Sequence, residues 1–492
     1  MKYFSTRNKD NISTSKEAII KGIAEDGGLF VPERIPSLPP LKDLLKCKYK
    51  ELAYRILSLY LTDYSEKELR SAVDGAYDDK FRRDNAVDLK GTDKAYILEL
   101  FHGPTLAFKD MALSILPHLL RSALKEKKLD KEVVILTATS GDTGKAALEG
   151  FKDIEGLNIM VFYPHGGVSP IQRLQMITQE GKNTFVSAIR GNFDDAQNGV
   201  KDIFADKEYN SRLDEEGYIL SSANSINIGR LIPQIIYYVY GYLELMRREE
   251  IKEGERINIV VPTGNFGNIL AAYYAKKMGL PVNKLICASN ENKVLADFFN
   301  SGSYDRKREL LLTSSPSMDI LVSSNLERFL FHLSNGDEDL VKEKMEDLKS
   351  TGNYDWKDFS EENIYGNYSS EEETSRWINK LYREENYLMD PHTAVAYGVY
   401  MKYLKETKDQ AKTIIASTAS PFKFHEKVLN SIGERLSKDE FEDLRYLSEL
   451  MDQELPKEMA ELEGLDHLHN DIVNKDEMKD IILRFLKEKE DV

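Results

Sequence analysis

Residues 101–112, FHGPTLAFKDMA, set one lysine among aromatic, small and helix-starting neighbours. Phe101, Leu106, Phe108 and Met111 lie close to Lys109 in the chain, a poor setting for a hydrated charge. An amine withdrawn from water loses hydration, and its pKa falls from about 10.4 towards the range where the neutral nucleophile is present. Such an amine can form a Schiff base. Segment 110–129 carries Leu113, Leu116, Leu119, Leu120 and Leu124 at helical spacing, with a kink expected at Pro117. Lys109 is therefore expected at a helix N-terminus, where the dipole further disfavours the ammonium form. A lysine snorkelling at a helix start fits this stretch equally well, so other stretches must decide.

Three polar turns follow apolar runs. Residues 133–136, VVIL, read as a strand buried on both faces, and Thr137-Ala138-Thr139-Ser140-Gly141-Asp142-Thr143-Gly144 leads into a helix over 145–149. Hydroxyls and unpaired N–H groups at such a helix start favour a carboxylate or phosphate; a well-capped turn is the plain alternative. A nucleotide P-loop is excluded, because Thr139 stands where its first glycine belongs and Ala146 follows Lys145. The second turn is Thr263-Gly264-Asn265-Phe266-Gly267-Asn268, between a strand over 257–262 and a helix over 269–278. Its glycines let backbone amides crowd a phosphate, and Asn265 and Asn268 tolerate left-handed geometry or add donors. No dinucleotide fingerprint is present. The third is Ser417-Thr418-Ala419-Ser420 after a strand over 413–416, at the functional edge of an open α/β sheet.

The elements that must position these turns alternate. Strands over 159–164 and 185–189 precede helices over 170–176 and up to Phe204, which predicts mostly parallel sheets with helices on both faces. Segment 18–32 passes from a helix through Gly27-Gly28 to a short strand ending at Pro32. The expected division is a small N-terminal domain (1–93), an α/β core (94–299), an insertion of helices and loops without regular strands (300–387), and a return to the core followed by charged C-terminal helices (388–492). The insertion is dense in Asp, Glu, Asn and Tyr and holds both tryptophans, Trp356 and Trp377. It suits a lid.

The 492 residues suggest two to four domains, and 41% apolar residues supply their cores. A net charge of −16 argues against nucleic acid or anionic membrane as a partner. The first residues lack an apolar signal core, and the most apolar run, 231–243, is shorter than a membrane span and contains Gln234. Only Cys47 and Cys287 occur, far apart, which fits a reducing cytoplasm. His467 and His469 lack a third ligand in view, so no metal is expected.

A buried lysine, a glycine turn for phosphate, a hydroxyl-rich turn for carboxylate and a hydroxyl at a strand end make a pyridoxal phosphate site. The runs DGGLFVPE, FHGPTLAFKD, TATSGDTGKAA, GGVSPIQRLQM, GNFDDAQ, SANSIN, PTGNFGN and STASPFKF resemble, in order, those of the threonine synthase family in the tryptophan-synthase-β-like group. The resemblance implies an α/β pyridoxal-phosphate enzyme of fold type II. It implies Lys109 as the catalytic Schiff-base lysine, Gly264, Asn265, Phe266, Gly267 and Asn268 as the cofactor-phosphate turn, and Thr418, with Ser417, beside the pyridine nitrogen. Ser140, Gly141, Asp142 and Thr143 match the substrate-carboxylate turn. The long insertion resembles the larger fungal and enterobacterial-like branch. The implied reaction takes O-phospho-L-homoserine and water to L-threonine and phosphate, the last step of threonine biosynthesis, by a carbon–oxygen lyase acting on phosphate. Arg173, Lys423, Ser169 and Asn224 are unranked candidates for the substrate phosphate. A monomer or small homo-oligomer is expected. The rivals are a phospho-lyase releasing a keto acid and ammonia, a serine or threonine dehydratase that leaves GGVSPIQRLQM and SANSIN unexplained, and a binding protein on the same scaffold.

Overall fold

The computed structural model describes residues 1–127, 131–139, 141–356, 359 and 363–490. Two open sheets carry the architecture. The smaller runs Asp471–Val473, Thr184–Ile189, Leu157–Pro164, Glu132–Ala138 and Tyr218–Ser221, with every pairing parallel. The larger runs Ile364–Tyr368, Val282–Ser289, Ile257–Pro262, Thr413–Ser417, Tyr96–Glu99 and Asp88–Gly91, parallel except for its last pair. Central strands such as Leu157–Pro164 and Ile257–Pro262 are buried at every position, as sheets covered by helices on both faces require. The strand-turn-helix alternation therefore folds as expected. All three polar turns lie at carboxyl ends of strands.

The helix Ile228–Arg247 is buried along nearly its whole length. It contains the apolar run 231–243, and among the described residues no helix is long and apolar enough to cross a membrane. Each fully buried Leu or Ile in it contributes about 1.5–3 kcal/mol. Contact with the larger sheet is tight. A Cβ on Gly241 would lie 3.2 Å from Ile414 Cδ1 and 3.4 Å from Leu98 Cδ2, so a larger residue there would push the helix off two strands that bear the site.

Several expectations change in the structure. Segment 110–129 is not one kinked helix. It breaks into Asp110–Leu113 and Leu116–Glu126, and residues 128–129 lie outside the described residues. Pro117 sits in the first turn of the second helix, where its missing N–H costs nothing, whereas one continuous helix would drive its ring into the Leu113 carbonyl. That carbonyl meets a close neighbour instead, since a Cβ on Gly150 would lie 2.2 Å from it.

The insertion does contain regular strands. Ser303–Asp305 pairs with Asn353–Asp355, and Ile364–Tyr368 extends the larger sheet beside Val282–Ser289. The edge strand is only half-buried and lacks an apolar alternation, which hides it in the sequence. Gly366 lets it approach the helix Val294–Ser301, since a Cβ there would lie 2.9 Å from Phe299 Cβ. Asp471–Val473 is likewise a strand in a region expected to be helical. At the other end, Tyr3–Ser5, Asn8–Ser13 and Phe30–Pro32 form a small sheet. The hairpin of Asp88–Gly91 with Tyr96–Glu99 straddles residue 93, so the larger sheet begins before that residue.

Candidate active site

The loop before Lys109 is tied from two sides. Asp110 accepts from the Thr105 N–H at 2.8 Å and from its hydroxyl at 2.6 Å, while Phe108 N–H donates to the Thr418 carbonyl at 2.8 Å. Burial pushes the Asp110 carboxyl up to about 6 in spite of the Thr105 bonds. Glycine is needed at 103, where a Cβ would lie 2.5 Å from Asp110 Oδ2. Lys109 thus caps a helix of only four residues, too short for a strong dipole. Burial is the stronger influence.

Lys109 is 9% exposed. Its Nζ donates to Ser317 Oγ at 2.9 Å and lies 3.4 Å from Asp142 Oδ2. Burial lowers its pKa; Asp142 opposes this, and the positive charges of Lys423 and Arg230 add to it. Burial would raise the Asp142 carboxyl, but Lys423 and then Lys109 hold it well below the usual range. The lysine loses this contest because Asp142 is shared with Lys423, its closer partner at 2.9 Å.

Asp142 opens the helix Asp142–Phe151 after the strand Glu132–Ala138. Thr139 Oγ1 accepts from the N–H groups of Gly141 at 3.0 Å and Gly144 at 2.9 Å, which shapes the turn. Gly141 has φ +142°, and a Cβ there would also meet the Gln172 side chain at 2.5 Å. Thr143 is half-buried in the first turn. The amides of Asp142 and Thr143 belong to the first helical turn, which has no intrahelical acceptors for them and so suits an anion. Ser140 lies outside the described residues.

The turn expected for phosphate differs in one detail. The left-handed residue is Phe266, at φ +64°, and not Asn265 or Asn268. Its ring packs on Phe299 and Phe329, and this aromatic burial offsets a strain of about 1–3 kcal/mol. The helix starts earlier than expected, as Gly267–Lys277, without a side-chain cap. A Cβ on Gly267 would find its nearest neighbour at 3.5 Å, which leaves room above the free amides. Asn268 Oδ1 accepts from Tyr237 and Tyr238, but its buried Nδ2 has no partner among the described residues. Asn265 is exposed and accepts from Ser324. Gly264 permits contact with the Ser317 segment, since a Cβ there would lie 2.3 Å from the Ser317 carbonyl. A helix start with free amides, an orphaned buried donor and a buried amine joined through Ser317 suit the phosphate and aldehyde of pyridoxal 5'-phosphate.

Thr418 is 6% exposed and follows the strand Thr413–Ser417, next to the Phe108 backbone. Ser417 Oγ is 2.8 Å from Thr393 Oγ1. Of the unranked phosphate candidates, Lys423 is bound to Asp142, to the Thr105 carbonyl at 2.9 Å and to Gln175 at 3.2 Å. Ser169 caps the helix Pro170–Ile177, and Arg173 is exposed. Asn224 is half-buried just ahead of a residue that sequence reasoning passed over, Arg230. Arg230 is 4% exposed and donates to the Ala223 carbonyl at 2.8 Å, with its Nε unpartnered and, among the described residues, no carboxylate paired to it. Burial lowers its pKa to about 10. A lone arginine three residues after SANSIN, at the start of an apolar helix, was the available signal. Ser317 and His392 were missed as well, because each reads locally as part of a turn or helix start.

Asp88, Glu99 and His102 present ligand atoms within 4.8 Å of one another. Glu99 is bonded to His102 and Tyr387, each at 2.9 Å, and Asp88 to Lys90 at 2.9 Å.

Three family models match the chain: "Threonine synthase N terminus" over residues 2–77, "Pyridoxal-phosphate dependent enzyme" over 84–418 and "Threonine synthase, C-terminal" over 393–482. Threonine synthase of Schizosaccharomyces pombe is 38% identical over 467 residues, which cover 87% of this chain and 88% of that protein. The crystal structure of threonine synthase from yeast aligns with a TM-score of 0.88 at 34% identity, over 99% of both chains. That of pyridoxal-phosphate-bound threonine synthase from Brucella melitensis gives 0.85 at 32%, again over 99% of both. The two sheets are thus those of a fold-type-II pyridoxal-phosphate enzyme, and the chain belongs to the threonine synthase family.

Proposed function

We propose that this protein converts O-phospho-L-homoserine and water to L-threonine and phosphate, with pyridoxal 5'-phosphate carried on Lys109. The observation that carries this reading is that Lys109 has two anion positions near it. The free amides of the helix Gly267–Lys277, with Asn268 Nδ2, suit the cofactor phosphate. Arg230, buried with, among the described residues, no carboxylate paired to it, and adding positive charge that lowers the Lys109 pKa, suits a second phosphate on the substrate. A dehydratase acting on serine or threonine would need only the first.

When bound, the cofactor supplies an electron sink for charge developing on the substrate carbons. The chain's residues divide the remaining work. The turn at Gly141, Asp142 and Thr143 receives the substrate carboxylate on the amides of Asp142 and Thr143, with Ser140 expected to join it. Lys109 Nζ, whose pKa burial lowers, takes and returns protons at Cα and Cβ. Arg230 holds the γ-phosphate until it leaves, and water adds at Cβ. Thr418, buried beside the Phe108 backbone, would offer a hydroxyl rather than a carboxylate to the cofactor's ring nitrogen. All these groups come from one chain, so a monomer or small homo-oligomer suffices. The two cysteines are free and buried, in keeping with a cytoplasmic setting.

The test is to supply O-phospho-L-homoserine and quantify threonine and phosphate together. Equal amounts are expected. Phosphate with a keto acid and ammonia would replace this reading by the phospho-lyase.

A further inference from the structure

Asp390 caps the helix Pro391–Thr407, accepting from the His392 and Thr393 amides. It does more than cap. The carboxylate is fully buried, its Oδ2 also takes the Thr393 hydroxyl, and its Oδ1 lies 2.7 Å from His392 Nδ1. Nδ1 beside an acceptor must carry the proton, so Nε2 of a neutral ring is left to accept. Nε2 accepts from the backbone N–H of Ser317 at 3.3 Å, and the ring is held edge-on against Phe424 at 4.9 Å.

Ser317 is the residue that touches both halves of the site. Its hydroxyl accepts from Lys109 Nζ at 2.9 Å, and its carbonyl closes on Gly264. The segment bearing it is tethered elsewhere by Asn290, which donates to Thr313 at 2.8 Å, to Ser315 Oγ at 3.0 Å and to Asp319 at 2.7 Å. None of these bonds fixes Ser317 itself. The His392 contact does.

We propose that His392, oriented by Asp390, is a positioning residue that holds Ser317 against Lys109 and so sets the direction of the Lys109 amine. Helix capping alone requires the Asp390 carboxylate but not an imidazole whose second nitrogen meets a residue 75 positions away. The inference rests on the reading of Lys109 as the lysine that carries the cofactor.

The variants are His392→Leu, which removes the acceptor, His392→Gln, whose amide oxygen can stand near the Nε2 position, and Ser317→Ala, which deletes the hydroxyl from the other end. In the holoenzyme, His392→Leu is expected to lower kcat about tenfold with KM changed less than about twofold, and His392→Gln to recover most of it. In cofactor-free protein, labelling of Lys109 by an amine-reactive reagent, followed by peptide mapping, should quicken about threefold in both His392→Leu and Ser317→Ala. The reason is that an ammonium loses an acceptor. The proposal is overturned if His392→Gln is as slow as His392→Leu, or if Ser317→Ala labels and turns over as the unmutated protein does. Ser317 is only half-buried, so its variant answers even where a His392 variant fails to fold. Labelling does not depend on turnover; reduced cofactor found on another lysine would instead refute the assignment of Lys109.

Discussion

Lys423 Nζ lies 2.9 Å from Asp142 Oδ1, with its side chain fully buried and its remaining bonds spent on Thr105 and Gln175. The pair is a fixed charge beside Lys109, and Lys423 is a structural partner before it is a ligand for anything else. Asp142→Asn would leave both lysines without their carboxylate. Losing one partner of a buried pair costs about 3–5 kcal/mol, which denaturant unfolding at neutral pH should record. The Asp142 carboxyl is depressed in the folded protein, so its contribution is present above the unfolded value of about 3.9 and fades as pH falls below it. The gap between Asp142→Asn and the unmutated protein should therefore narrow in acid. A gap independent of pH would mean that the carboxylate is not what stabilises this corner.

Borohydride reduction of the holoenzyme followed by peptide mapping should find the cofactor on Lys109. Lys109→Ala should still bind phosphohomoserine, because the amides at Gly267, the turn at Asp142 and Arg230 are untouched. Phosphate release should fall at least a hundredfold, within the range for loss of an acid–base group. Spectral titration and a phosphate assay separate the two effects, and release near the unmutated rate would require another base.

The two glycines of the 263–268 turn should fail in different ways. Gly267→Asp has room for its Cβ, with the nearest atom at 3.5 Å, so circular dichroism should change little while a carboxylate repels the cofactor phosphate. Gly264→Ala meets the Ser317 carbonyl at 2.3 Å and must shift backbone, at a cost of about 1–3 kcal/mol in stability. Cofactor affinity and unfolding, measured on both variants, should fall in opposite proportion.

Arg230→Gln should raise KM for phosphohomoserine roughly tenfold to a hundredfold, the equivalent of about 1.5–3 kcal/mol for a hydrogen bond to a charged group. Its stability should hold or rise, because a buried charge with no carboxylate partner among the described residues is removed. An unchanged KM would show that the substrate phosphate is held elsewhere.

Lys109, the turn at Gly141 and the turn at Gly267 were legible in the chain itself. Each is a local string in which an apolar run, a glycine and a helix start follow within about ten residues, and backbone sterics act over that range. Family resemblance supplied their roles. Tertiary structure decided what touches Lys109. Ser317 lies 208 positions from it and came from a segment that reads as polar insertion, while Asp142 lies 33 positions away, at the start of a helix that follows a strand of the other sheet. Whether Lys423 would serve a ligand or a carboxylate was not readable either, since a pairing between residues 142 and 423 exists only once both sheets are in place. The edge strands Ile364–Tyr368 and Asp471–Val473 were hidden for a related reason: a half-buried strand takes its hydrogen bonds from a neighbour distant in sequence, and its own residues carry little period to announce it.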